Sequence, residues 1–493
     1  LVAPKFDNVW VVYPNKKQPA VLRENEFVGV TLKDIDSVSF KRNFTSEQKL
    51  VFLQPATFRN KTDFNTHRLL RAIDNNCLLS KLPESEQGNP NDLFYKPQLL
   101  FERLKEYPDI IERTENLLQT SDISFTFGTS QKTKNLSTYT GSEERDFELL
   151  KKLCREGLEY RYPDPTDIIY NRIEKELSII RQKDFVSYFL INWDIISYAR
   201  HKNYFYVGRG SGANSIVAYL LRITDVDPIE LDLYFERFIN LYRQNPPDFD
   251  MDFSWRDRDD VINYIFQRFD NVVLQGTYNT FQTKSVVREL GKVFGLPKHE
   301  IDSVIRGKKA TKSYDQFFKL INQYSPKIKG FPSHLSVHAS GILITEQPIY
   351  DCTATSLPPN GHPITHFDMH ISEDIGIYKF DILSQRELGK IKDALEIIHE
   401  LHPDHPEIDI HNMNMLKEDE QVKDLLRNAK TMGCFYVESP AMRMLLTKLR
   451  AETYLGLVAA SSIIRPGVAK SGMMREYIVR FRNPHLREKR GHP

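Results

Sequence analysis

The stretch Pro247-Asp248-Phe249-Asp250-Met251-Asp252-Phe253 alternates acidic and apolar residues. In a β-strand successive side chains point to opposite faces. The pattern therefore predicts a strand with Phe249, Met251 and Phe253 on one face and Asp248, Asp250 and Asp252 on the other. The apolar face suits burial beneath helices. On the opposite face the carboxylates fall roughly 7 Å apart along the strand, and like charges there repel unless a cation lies between them. A pair of divalent cations about 4 Å apart, the core of a two-metal phosphoryl-transfer site, would relieve that repulsion. An edge strand with a solvated acidic face carries the same pattern, and this stretch alone leaves both readings open.

Upstream, Tyr204-Phe-Tyr-Val207 reads as a strand running into Gly208-Arg-Gly-Ser-Gly-Ala-Asn-Ser215, with a helix over Ile216 to Leu221. Strand, glycine-rich turn and helix N-terminus make a phosphate-binding arrangement, because glycine lets the backbone approach an anion and the helix end offers free N–H groups. Arg209 and Ser211 would add a charge and a hydroxyl. The spacing is neither that of the G-x-x-x-x-G-K-[ST] loop nor G-x-G-x-x-G, and a tight structural turn is the alternative. Arg237 and Arg243 stand between this turn and the acidic stretch. A polyanionic substrate needs such cations, and an ordinary surface tolerates them.

Downstream, Asp259 to Phe269 and Gln282 to Phe294 read as helices. Val286, Val287, Leu290 and Val293 form the apolar stripe of the second, and Lys284, Arg288 and Lys292 repeat every four residues on another face. That basic stripe suits a nucleic-acid backbone, as does the lysine-rich run from Arg306 to Lys312; a salt-bridged surface helix looks similar. Val337 to Ile344 reads as a buried strand. Tyr378-Lys-Phe-Asp-Ile-Leu383 repeats the alternation, with Lys379 and Asp381 sharing a face, so it supplies a third carboxylate and a cation beside it. His362, His366 and His370 are four apart, but Pro363 interrupts any helix, and they read as surface histidines. His399, His402 and His405 read likewise. Arg443 lies on a helix over Ala441 to Leu449, and Ile464 to Gly467 reads as a turn; the cations of this last region would suit a polyanion.

The totals bound the class. A chain of 493 residues, 40% hydrophobic and 27% charged, is expected to fold as several globular domains. No apolar run approaches the roughly 20 residues of a membrane span, and no signal peptide opens the chain. The four cysteines form no C-x-x-C pair, so neither a cysteine zinc site nor a disulfide framework is expected, which fits the cytoplasm. In the first 142 residues, Val9 to Tyr13 and Leu50 to Leu53 read as strands and Asn65 to Ile73 as a helix. No catalytic cluster is evident there, and His67 reads as a surface or packing residue. The polar stretch from Thr126 to Glu144 is read as a connection. The start at Leu1 and the basic end suggest a piece of a longer protein.

Taken together, these stretches resemble the α subunit of bacterial DNA polymerase III, the C-family replicative polymerase. The resemblance is carried by Val207-Gly-Arg-Gly-Ser-Gly-Ala-Asn-Ser215, Ile223-Thr-Asp-Val-Asp-Pro228, Phe235-Glu-Arg-Phe238 and Pro247 to Phe253. It continues in His338-Ala-Ser-Gly341, Lys379-Phe-Asp381, Val437-Glu-Ser439 with Met442-Arg443, and Arg465-Pro-Gly467 with Ser471-Gly-Met473. It implies a multidomain α/β (α+β) fold built on a polymerase β-like nucleotidyltransferase palm with a mixed sheet. The expected domains are the later part of a degenerate PHP domain (1–142), palm (143–279 and 334–386), a helical thumb insertion (280–333) and the first part of the helical fingers (387–493). It implies template-directed addition of dNTPs to a primer 3′-OH, with Asp248, Asp250 and Asp381 holding two Mg²⁺, Mn²⁺ being able to substitute. Gly210 and Ser211 would cradle the triphosphate; Arg209, Arg237, Arg243 and Lys379 would contact phosphates. Lys284, Arg288, Lys292 and Arg443 would meet primer–template DNA. In the full-length protein, a sliding clamp, clamp loader and proofreading subunits are the implied partners.

There are departures. Val51-Phe-Leu-Gln-Pro-Ala-Thr-Phe58 has Pro55 and Thr57 where an Asp-x-His metal pair of the PHP domain would stand, so no metal and no exonuclease activity are expected there. Asn214 replaces a frequent glycine and Val468 a frequent proline. Three rivals remain: a PHP-type phosphoesterase, which the single histidine His67 in residues 1–142 disfavours; a non-catalytic DNA-binding relative, which would be expected to have lost one of the three aspartates; and an error-prone paralogue for translesion synthesis.

Overall fold

The computed structural model describes residues 2–15, 17–37, 45, 48–124, 133–237, 239–240, 245–306, 315–406 and 408–486. The fold is mixed α/β and multidomain, in two compact units: Leu1–Thr126 with Tyr278–Leu335, and Phe127–Thr277 with Ser336–Pro493.

The first unit holds a parallel three-stranded sheet ordered β1 (Val11–Pro14), β2 (Glu26–Val30), β3 (Leu50–Phe52). β1 and β3 match the two expected strands. The helix Lys61–Asp74 extends the expected one at its start, where Asn60 caps it by accepting the N–H groups of Thr62 and Asp63. His67 is a packing residue: its Nε2 accepts the Gly88 N–H at 2.9 Å and its ring lies 5.2 Å from Phe58. Pro55 and Thr57 follow β3 on exposed backbone. The helix Thr283–Val293 sinks Val286, Leu290 and Val293 into a core shared with Leu69 and Ala72 of Lys61–Asp74 and with Phe318, Ile321 and Ile328 of the helix Asp315–Ile328. The apolar stripe read from the sequence is thus the buried one, with Val287 at its margin.

The second unit is organised by a seven-stranded mixed sheet, ordered β4 (Tyr206–Arg209), β5 (Asp250–Ser254), β10 (Phe380–Gln385), β7 (Pro332–Ile344), β6 (Val272–Thr280), β9 (Ile364–Thr365), β8 (Thr355–Ser356). β5 is an interior strand, which removes the edge-strand reading. Phe249, Met251 and Phe253 are at most 1% exposed, contributing about 2 kcal/mol each. The helix Val186–His201, apolar on most of its circumference, covers Phe249 and Phe380: Tyr188 and Phe189 meet Phe249 at 5.7 and 5.2 Å, and Tyr188 meets Phe380 at 4.9 Å.

The polar stretch read as a connection is in part woven into this unit. Asn135 is buried, donating to the Tyr378 carbonyl and accepting the Tyr378 N–H, both at 2.7 Å, and it bridges to Thr345. One polar side chain that satisfies a sheet end needs no hydrophobic pattern, so the sequence shows nothing of it. His362, His366 and His370 share no helix, only His370 being helical, in Met369–Asp374. After β10 the chain is helical. Pro440–Leu449, Tyr454–Ile463 and Met473–Arg482 pack around Met442, Leu445, Leu446 and Ala460. The turn expected at Ile464 to Gly467 opens a short helix, Pro466–Lys470, because proline suits a first helical position. Among the described residues no helix is long and apolar enough to cross a membrane.

Candidate active site

Pairing register builds the site. β4 runs antiparallel to β5 with Arg209 opposite Asp250, and β10 runs parallel to β5 with Asp381 opposite Asp250. On the far side of β10, Gly341 of β7 faces Asp381. Arg209, Asp250 and Asp381 therefore form one row across three neighbouring strands, with Asp252 two residues along on the same face. Arg209 spans the two β5 carboxylates: Nη1 donates to Asp250 at 2.5 Å and Nε to Asp252 at 2.7 Å. Lys379 Nζ donates to Asp381 Oδ2, and Ser340 Oγ donates to Asp381 Oδ1 at 2.6 Å. Asp252 also accepts Gln385 Nε2 at 3.2 Å.

Asp248 departs from the expected strand. β5 starts at Asp250, and the backbone of Asp248 is held by the glycine turn instead: its N–H donates to Ser211 Oγ at 2.9 Å and its carbonyl accepts the Gly212 N–H at 3.0 Å. The turn requires glycine. Gly210 has φ +98°, and a Cβ there would stand 2.5 Å from the Asp248 carbonyl oxygen; at Gly212 a Cβ would fall 2.2 Å from the Phe249 ring. Packing of this turn on the acidic segment brings Gly210 and Ser211 beside Asp248.

The helix after the turn is five residues long, Ile216–Leu220. Two of its leading N–H groups have internal partners: Ser215 Oγ accepts that of Ala218 at 3.2 Å, and Glu176 accepts that of Val217 at 3.4 Å. Glu176, fully buried, also accepts Ser215 Oγ at 2.7 Å and Arg172 Nε at 2.6 Å. Burial pushes its carboxyl up to about 7 against the pull of Arg172. Sequence reading missed Glu176, Ser340 and Gln385. Each reaches the site through long-range pairing, although Ser340 lay within a stretch already singled out.

The remaining expected residues are dispersed. Arg237 ends a short 3₁₀ turn, Phe235–Arg237, with its side chain outside the described residues, and Arg243 lies outside them altogether. Lys284, Arg288 and Lys292 are exposed on one helix; Arg288 pairs with Asp302 at 3.1 Å and Lys292 with Glu289 at 2.8 Å. Arg443 donates to the Ala429 carbonyl at 3.2 Å. All of the lysine-rich run Arg306 to Lys312 after Arg306 also lies outside the described residues.

Burial raises the Asp250 pKa, the Arg209 guanidinium opposes this, and the charges of Asp381 and Asp248 add to the rise. Three carboxylates thus share one electrostatic neighbourhood. The donors are all hard oxygens, which fits magnesium-like cations. Among the described residues no three His, Cys, Asp or Glu side chains converge as around a bound ion. Here Arg209 supplies positive charge to Asp250 and Asp252, and Lys379 to Asp381.

Residues 148–384 match the family described as Bacterial DNA polymerase III alpha NTPase domain, and residues 387–489 the Bacterial DNA polymerase III alpha subunit finger domain. The chain belongs to the bacterial DNA polymerase III α family. It is 30% identical over 459 residues to the error-prone DNA polymerase of Symbiobacterium thermophilum, covering 87% of this chain and 41% of that protein. It is 31% identical over 429 residues to the DNA polymerase III subunit alpha of Bacillus subtilis (83% and 38%), and 29% over 468 residues to that of Escherichia coli K12 (88% and 40%). The chain thus spans about two fifths of the length of these relatives. Divalent-metal use is general in this polymerase family, and the row lies within the NTPase-domain match.

Proposed function

We propose that this chain carries the nucleotidyl-transfer core of a DNA-directed DNA polymerase, adding dNTPs to a primer 3′-OH under template direction. The observation that supports it best is the row in which Asp250 faces Asp381 in register, clamped by Arg209 and Lys379 beside the glycine turn. Asp248, Asp250 and Asp381 would hold two Mg²⁺ ions, or Mn²⁺, whose chemistry is to acidify the 3′-OH and to stabilise the leaving pyrophosphate. The protein's own part is charge exchange. Arg209 and Lys379 neutralise the carboxylates in the resting site, and an incoming triphosphate offers them oxygens in exchange. Gly210 brings backbone within reach of a phosphate, and Ser211 offers a hydroxyl. Arg237 and Arg243 are further phosphate contacts in this reading, and Lys284, Arg288, Lys292 and Arg443 meet the duplex backbone.

The domain division proposed with this function is degenerate PHP (1–142), palm (143–279 and 334–386), thumb (280–333) and fingers (387–493). Clamp, clamp loader and a proofreading subunit are the proposed partners of the full-length polymerase, in the cytoplasm. The Symbiobacterium relative's name favours a second reading, error-prone synthesis. Bypass of an abasic template site, compared with misincorporation on intact template, separates the two.

The test is primer extension on a primed template with Mg²⁺ or Mn²⁺ and all four dNTPs. The wild-type chain is expected to extend the primer and Asp250→Asn to fail. Extension that survives the substitution would remove Asp250 from the chemistry.

A further inference from the structure

A second site lies outside the acidic row. Residues of the helices Glu143–Arg161 and Val186–His201, with Tyr204 and Arg222, line an open cleft of about 990 Å³, at the upper end of the range for ligand sites. Its wall carries Tyr160, Trp193, Tyr198 (one face of which is stacked on Tyr264 at 3.8 Å) and Tyr204, with the guanidiniums of Arg200 and Arg222 and the carboxylates of Glu156 and Asp194. Among the described residues neither arginine has a carboxylate partner: Arg222 stacks on the Tyr160 ring at 4.2 Å and donates to its hydroxyl at 3.4 Å, and Arg200 makes no side-chain hydrogen bond. Burial, and then the guanidiniums of Arg222 and Arg161, hold Arg200 below the usual arginine range. The nearby carboxylates are otherwise engaged, Asp225 by Arg161 at 2.7 Å, Asp194 by Arg268 at 3.0 Å and Glu156 by Lys152 at 3.7 Å.

Arg222 also stands at φ +61°, just past the helix Ile216–Leu220. Glycine is the usual residue at such a helix end. An arginine held there despite the backbone cost puts a guanidinium into the cleft. Two guanidiniums without a carboxylate partner suit an anion, and aromatic rings beside them suit a flat heterocycle, which stacks on such rings whatever its sequence.

We propose that this cleft binds a nucleotide, its base on the tyrosine and tryptophan wall and its phosphate between Arg200 and Arg222. None of Asp248, Asp250, Asp381, Arg209 or Lys379 lines it, so it is a place distinct from the acidic row. The nucleotide comes either free or as one unit of a single strand.

Trp193 reports on the cleft once the other two tryptophans are changed, as Trp10→Phe and Trp255→Phe. The fluorescence of this chain is titrated with ATP and, separately, with a short oligothymidylate. Saturable quenching by ATP identifies a free nucleotide, and quenching by the oligomer alone identifies a strand. In either case Arg200→Gln with Arg222→Gln weakens half-saturation by on the order of tenfold or more. Arg200→Gln alone, which removes no bond within the protein, weakens it too while far-UV circular dichroism stays unchanged, and Arg200→Lys restores part of the loss. No saturable quenching by either ligand, or half-saturation indifferent to these substitutions, overturns the proposal.

Discussion

Two regions of this chain carry like charges at regular spacing, and the structure treats them oppositely. On the helix Thr283–Val293 the cations repeat every four residues and stay exposed: Lys292 takes Glu289, three residues before it on the same helix, and Arg288 takes Asp302 of the next helix, Lys298–Ile305. On β5 and β10 Asp252 and Asp381 are drawn inward, about 5% exposed, and apart from Lys379, two residues before Asp381, the partners of the row come from far along the chain. Arg209 lies 41 residues from Asp250, and Ser340 lies 41 residues from Asp381. A charge neutralised by its own helix reports a solvated face. A row of acids brought together by the pairing of two strands, and neutralised by Arg209 of a third strand and by the neighbouring Lys379, is costly to assemble.

That contrast can be broken by substitution. Asp250→Asn or Asp381→Asn should lower single-nucleotide addition by roughly 1,000-fold or more, read by single-turnover extension, whereas Lys292→Ala should leave the chemical step unchanged. Glu176→Ala, beneath the glycine turn, should cost about 3 kcal/mol in urea unfolding, because Arg172 loses its buried partner; a loss under about 0.5 kcal/mol would remove Glu176 from the scaffold. Glu176 also sharpens the comparison through pH. Its folded pKa is raised to about 7, so the folded state holds a proton that the unfolded chain releases from about pH 4.5 upward. Its contribution to stability is full below that pH and is lost as pH rises towards 7. Glu176→Gln should flatten that slope. Gly210→Ala should cost about 2 kcal/mol, from the positive φ and the Asp248 carbonyl. The smallest effects belong to the basic stripe. Arg288→Ala or Lys292→Ala should change stability by about 0.5 kcal/mol or less, while Lys284→Ala should lower the salt dependence of DNA binding by about one ion.

The alternation at Phe249, Met251 and Phe253 was readable because period 2 has one structural meaning when every apolar residue lands on one face. The apolar stripe of Thr283–Val293 was readable for the same reason at period 3.6. Register was not. Nothing local says that Arg209 sits opposite Asp250, or that Gly341 sets Ser340 beside Asp381, because strand pairing joins residues that sequence spacing keeps apart. The start of β5 was missed because the backbone of Asp248 is claimed by Ser211 and Gly212, a competition visible only once the turn is folded. Asn135 was missed because a single buried amide leaves no periodic trace. The grouping of residues 278–335 with the first unit rests on a core shared by helices more than 200 residues apart in the chain, such as Leu69 with Val286.

We propose that the row of acids held by Arg209 and Lys379 seats divalent cations. Electron paramagnetic resonance of free Mn²⁺ tests it, with the chain, a dideoxy-terminated primer–template and the matching dNTP present. The wild-type chain should take up more Mn²⁺ than Asp250→Asn or Asp381→Asn at equal total metal, while Lys292→Ala matches the wild type. Equal uptake by all four proteins would show that these aspartates do not seat the metal.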